Sequence, residues 1–158
     1  MPAEEHITQA TYDRLSAELE DLRTRGRIEV ADRIERAREH GDLRENAEYH
    51  AAKDDKANME QRIVRLATIL ERAVIISDDA VSGDTVATGN TVTIRYEGDP
   101  EDQVEQYLVG SIEERHGDVS VVSPSSPLGA ALLGAAVGDT VAFAAPRGEL
   151  RVEVVAID

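Results

Sequence analysis

Apolar residues recur at a helical period from Tyr12 to Ala73, and one interruption at Gly41–Asn46 splits the run into two stripes. In the first, Tyr12, Leu15, Leu19 and Leu22 are spaced 3-4-3. The stripe resumes after Gly26 at Val30, Ile34 and Ala37, with spacings nearer four that shift the seam slightly. In the second, Ala52, Met59, Ile63, Leu66, Leu70 and Ala73 keep close to a heptad. Thr8 is placed to cap the first helix. One apolar seam on each otherwise charged helix, joined by a tight turn, predicts an antiparallel coiled-coil hairpin. A helix from Gln9 to His40 would be roughly 45–50 Å long, against about 30 Å for a small domain. The hairpin is therefore expected to project, with its turn at the far end.

Beyond residue 77 the period changes. "TVTIRY" (91–96), "VEQYLV" (104–109), "VSVV" (119–122), "TVAFAA" (140–145) and "LRVEVVAI" (150–157) are β-branched, partly alternating segments separated by Gly, Asp and Pro. Pro146-Arg147-Gly148 predicts a hairpin between the last two, and "PLGAALLGA" (127–135) a short helix against the sheet. "SDDAVSGD" (77–84) is polar enough for a linker. The reading is α+β: an arm at 1–77 with its tip at 41–46, then a compact α+β domain at 78–158.

The chain has no Cys, which excludes a disulfide framework and thiolate metal sites. No apolar run approaches the roughly 20 residues of a membrane span, and "MPAEEHITQA" lacks the basic-then-apolar order of a signal peptide. The expectation is a cytoplasmic protein with no membrane partner. Its net charge of −15 argues against binding bulk nucleic acid. Residues 1–77 hold 17 acids and 13 bases, residues 78–158 15 acids and 4 bases. The acidic second half suits a basic protein partner, or serves solubility alone. His6, His40, His50 and His116 are scattered without metal-site spacing.

The turn lies within "AREHGDLRENAEYHAAK" (37–53) and carries Asp42, Glu45 and Glu48. Two readings stand side by side. Asp42-Leu43-Arg44-Glu45 has the D-x-x-E spacing of a capping box, Asn46 is a good cap, and acids suit a helix N-terminus. Alternatively, two carboxylates three residues apart can converge on one Mg²⁺, a cation typically held by one or two carboxylates with water and phosphate oxygens. Two acids make an incomplete site, so the other ligands would come from another molecule.

This segment strongly resembles the tip signature of the bacterial transcript-cleavage factors, the GreA family. Glycine, acids, Asn and the Tyr-x-Ala-Ala run match in order, and the resemblance extends over essentially the whole chain, with an FKBP-like C-terminal domain carrying "SPLGAALLG" (126–134). It implies a transcription elongation factor that enters the secondary channel of backtracked RNA polymerase and stimulates endonucleolytic cleavage of the nascent RNA. Asp42 and Glu45 would be catalytic groups donated to the polymerase active centre, helping to hold a second Mg²⁺ and orient the attacking water in two-metal hydrolysis. The factor would be a cofactor of the polymerase rather than an enzyme, binding Mg²⁺ only within the complex.

Gly41, Leu43, Asn46 and Tyr49 would support the tip: Gly41 by permitting the turn, Asn46 as a cap, Leu43 by packing on polymerase, and Tyr49 by stacking near the RNA 3′ end or closing the seam. Arg33, Arg36, Arg44, Lys53 and Lys56 would guide RNA, weakly, because Asp32, Glu35 and Glu39 are interleaved; the weak patch suggests short products. Ser126, Pro127, Leu128 and Gly129 align with the segment that docks on the β′ rim, although Leu132 and Leu133 could equally be core and the Pro-Gly pair a turn. The factor is expected to act as a monomer.

Three rivals are weighed against this. A channel-binding inhibitor would share the architecture, but both tip acids match the cleavage type. A prolyl isomerase is suggested only by the FKBP-like fold, and Tyr96, Tyr107 and Phe143 offer few aromatic walls. A free-standing metal nuclease lacks a ligand cluster.

Overall fold

A computed structural model describes residues 4–41, 46–76, 83–114 and 117–158. Asp42, Leu43, Arg44 and Glu45, the linker segment 77–82 and the Arg115-His116 pair lie outside them. The chain separates into two units, one formed by Tyr12–Arg72 and the other holding the sheet together with the short strand β1 (Glu5–Ile7). The expected boundary at 77/78 followed chain order, whereas the contacts assign residues up to Thr11 to the sheet unit.

The first unit is the helical hairpin. Helix α1 (Gln9–Asp21) runs into a π-helical turn at Leu22–Gly26 and on into α2 (Arg27–Arg38), and α3 (Ala47–Arg72) returns. Glu18–Arg62, Arg27–Glu60 and Arg33–Asp55 ion pairs link ascending positions on the outgoing helix to descending ones on α3, so the helices are antiparallel. The seam is built from Leu15, Leu19, Val30, Ala37, Ala52, Ile63 and Leu66, all buried, with Tyr12, Leu22, Ile34, Met59 and Leu70 half-buried beside them.

The π turn explains why the seam shifts. Leu22 and Val30 are eight residues apart, more than the 7.2 of two α-turns, and a turn closed by i→i+5 bonds absorbs the surplus residue. The Arg27 amide accordingly reaches back to the Leu22 carbonyl, and the Thr24 hydroxyl donates to the Glu20 carbonyl at 2.8 Å. Gly26 sits inside this turn facing α3; a Cβ there would stand 3.1 Å from the Met59 sulfur.

In the second unit, β3 (Thr91–Tyr96), β4 (Glu105–Val109), β5 (Ser120–Val122), β6 (Thr140–Ala145) and β7 (Gly148–Ile157) form one sheet in the order β5-β4-β3-β7-β6. All pairings are antiparallel except β4 with β5. The predicted hairpin is present, and because Ala145 pairs with Gly148 its turn is Pro146-Arg147 alone, Gly148 already belonging to β7. Helix α4 (Pro127–Leu132) covers the face made by Val92, Ile94, Val109, Val152 and Val154, which with Val86, Leu132 and Ala135 form the core. The helix is shorter than the expected 127–135.

Two strands are absent from the sequence reading. β1 (Glu5–Ile7) and β2 (Ala73–Ile75) pair in parallel, so Ala73 opens a strand instead of ending the helical seam. The Thr8 cap is present, its hydroxyl accepting from the Thr11 amide at 3.2 Å. It is reinforced from far along the chain: the Glu114 carboxylate accepts from the Thr8 amide (2.7 Å), the Thr8 hydroxyl (3.1 Å) and the Thr11 hydroxyl (2.8 Å). Glu114 is buried, and those donors are what a carboxylate needs to stay there.

Candidate tip and docking sites

The described backbone reaches the hairpin end from both sides. At the close of α2 the helix tightens, with His40 N–H bonding to Ala37 O at 3.2 Å and Gly41 N–H to Arg38 O at 3.4 Å. Gly41 then takes φ +106°, a conformation that a side chain would strain. On the other side Asn46 Oδ1 accepts from the Tyr49 amide at 3.1 Å and caps α3, as its position predicts. The Asn46 amide group also donates to Ala37 O at 2.5 Å, tying the start of α3 to the end of α2.

Tyr49 is half-buried one turn into α3. Its ring meets His50 edge-on at 5.6 Å, and Lys53 Nζ stands 5.5 Å from its centroid. Arg33 is engaged with Asp55 at 2.8 Å. Arg36 lines a shallow notch with Arg33, Ala37, Glu48, Ala51 and Ala52. Lys56 lies close enough to Glu60 to help lower its pKa, the larger cause being the hydrogen bond from Arg27. The acids that engage this stripe are Asp55 and Glu60 on α3, outside the interleaved set Asp32, Glu35 and Glu39. Arg44, Asp42, Leu43 and Glu45 are outside the described residues.

The second site is the start of α4. Ser126 caps it: Oγ accepts from Gly129 N–H at 3.1 Å and donates to Ser123 O at 2.6 Å. Pro127 follows at the first helical position, where its missing N–H costs nothing. Gly129 is buried so tightly that a Cβ would lie 1.9 Å from Ser123 O. Leu128 packs on the core. Leu132 is fully buried, but Leu133 is 37% exposed, as is Val137 at 58%. The reading of both leucines as core thus holds only for Leu132; α4 ends there, and Leu133 turns outward.

Two family models cover nearly the whole chain. "Transcription elongation factor, N-terminal" matches residues 5–75, and "Transcription elongation factor, GreA/GreB, C-term" matches residues 81–158. The chain belongs to the GreA/GreB family of transcription elongation factors. It is 42% identical to a transcription elongation factor GreA from Streptomyces avermitilis over 91% of this chain and 86% of that one. It is 44% identical to GreA from Nautilia profundicola, over 91% and 88%, and 40% identical to GreA from Prosthecochloris aestuarii, over 96% and 95%. A solved structure of the transcription factor Gfh1 is 34% identical over 99% of both chains, with a TM-score of 0.48. This chain is a transcription elongation factor of the GreA type.

Within this GreA/GreB-family chain, no group of three His, Asp or Glu side chains among the described residues could hold a metal. Among the described residues no helix is long and apolar enough to cross a membrane. Tyr96, Tyr107 and Phe143 pack against the core. Burial and the Glu105 carboxylate, which accepts from the Tyr107 hydroxyl at 2.8 Å, push the Tyr107 pKa up. Sequence reasoning missed the Glu114 clamp and the second hydrogen bond of Asn46. Both join residues whose proximity exists only after folding, and no local spacing encodes them.

Proposed function

We propose that this chain stimulates cleavage of backtracked nascent RNA by bacterial RNA polymerase, entering the secondary channel with the hairpin end foremost. The observation that carries the reading is the signature Gly41-Asp42-Leu43-Arg44-Glu45-Asn46 at the end of the hairpin, in a chain of the GreA type. Asp42 and Glu45 offer hard oxygen donors, a set that suits Mg²⁺ but fills only part of its shell, so the polymerase supplies the rest. The metal, when bound, stabilises charge on the scissile phosphate and activates water. The tip carboxylates accept hydrogen bonds from the attacking water and hold it in line. Ser126–Gly129, presented by a rigidly capped α4, with exposed Leu133 and Val137 nearby, contact the β′ rim.

The factor contributes groups to another protein's active centre and acts as its cofactor. The test adds the purified chain to backtracked polymerase carrying 3′-labelled RNA, with a parallel reaction of chain and RNA alone. Short labelled fragments in the first and none in the second are expected. Fragments in both would make the chain a nuclease, and slowed elongation without fragments would make it a channel-binding inhibitor.

A further inference from the structure

A helix cap requires only an acceptor, and Ser, Asp and Asn serve about equally well. Asn46 does more. Its Oδ1 takes the Tyr49 amide while its Nδ2–H donates to Ala37 O, nine residues back on the opposite helix. Ala37 O also receives the His40 amide, so both of its lone pairs are occupied. The orientation of the side-chain amide follows from these partners, because the flipped form would face oxygen to oxygen and N–H to N–H. Serine is too short to span both partners, and aspartate has no N–H. Among side-chain caps, asparagine alone combines acceptor and donor at this reach.

We propose that Asn46 is a positioning residue for RNA cleavage. It fixes the separation of the two chain ends, at Gly41 and Asn46, between which residues 42–45 are carried. This rests on the cleavage reading above. Donated catalytic groups tolerate little displacement; a shift of about 1 Å can cost on the order of 100-fold in rate.

The test is Asn46→Ser, which keeps the cap and removes the bridge, with Asn46→Asp beside it. In the free chain, spin labels on cysteines at Glu39 and Ala47 report the gap across the turn, and the absence of Cys from the sequence leaves them the sole labels. The labelled wild-type background should give a narrow dipolar distance distribution and both variants a broad one. With backtracked polymerase, Asn46→Ser should lower the maximal cleavage rate about tenfold or more. The half-saturating concentration should stay unchanged, and the thermal midpoint should remain within about 2 °C. Wild-type rates with narrow distributions in both variants would overturn the proposal. So would a rate loss that tracks a fall in thermal midpoint, which would leave Asn46 as a cap. If the wild type stimulated no cleavage, the functional reading itself would fall and the catalytic role of Asn46 with it, whatever the distances show.

Discussion

At Gly129 a single added methyl group has nowhere to go, because its carbon would fall 1.9 Å from the Ser123 carbonyl oxygen. That atom belongs to the backbone and also accepts from Ser126 Oγ, so it cannot move without undoing the α4 cap. Gly129→Ala is therefore expected to destabilise the sheet unit by about 1–3 kcal/mol, read by chemical denaturation. An unchanged midpoint would show that the loop yields. The contrast with Gly41 is instructive: there the constraint is φ +106° and the space is open. Gly41 lies at the turn expected of it, whereas the Pro-Gly pair offered as an alternative turn falls inside α4, with Gly129 in its first turn, and only the folded contacts separate a steric requirement from a torsional one. Glu114 shows the limit more sharply. As one of two consecutive glutamates in a strongly acidic half it reads as surface charge, whereas it is buried beneath the first turn of α1.

Among the elements, the hairpin was the most legible, since a stripe repeated over two helices admits few alternatives. Its energy resides in the seam. Leu66 is fully buried, and Leu66→Ala should cost about 2–5 kcal/mol, measured from loss of helical circular dichroism in urea. A cost under about 1 kcal/mol would mean the seam closes around the gap. The flanking ion pairs act differently. The Arg27 hydrogen bond holds the Glu60 carboxyl below its ordinary value of 4.5. A carboxylate with a lowered folded pKa stabilises the fold above the unfolded value and loses that contribution as pH falls through the folded one. Arg27→Gln should therefore show a smaller loss of stability than wild type between about pH 5 and pH 3 at low ionic strength. The pair is exposed, so added salt should shrink the difference; equal pH profiles at low salt would remove its role. β1 and β2 were not legible. Three residues each give too little alternation to register, and their partners are 68 positions apart in sequence. The π turn was half legible, as a shift in spacing without its cause.

For the whole molecule, charge and pattern divide the labour. The 13 bases of residues 1–77 all fall within Tyr12–Arg72, the hairpin unit, and residues 78–158, with 4 bases and 15 acids, belong to the sheet unit. Family membership establishes a transcription elongation factor of the GreA type. In the proposed reading the tip motif carries the chemistry, and there local sequence rules favoured a helix cap over a metal ligand, although both use carboxylates at a helix start. Only the resemblance tipped the balance. The decisive measurement compares the wild-type chain with Asp42→Ala/Glu45→Ala on backtracked polymerase bearing 3′-labelled RNA, with polymerase binding measured in parallel. Donated catalytic groups predict that the variant binds as wild type does and releases short 3′ fragments at least about 100-fold more slowly. Cleavage at the wild-type rate by a variant lacking both carboxylates would contradict the account and leave them as helix caps.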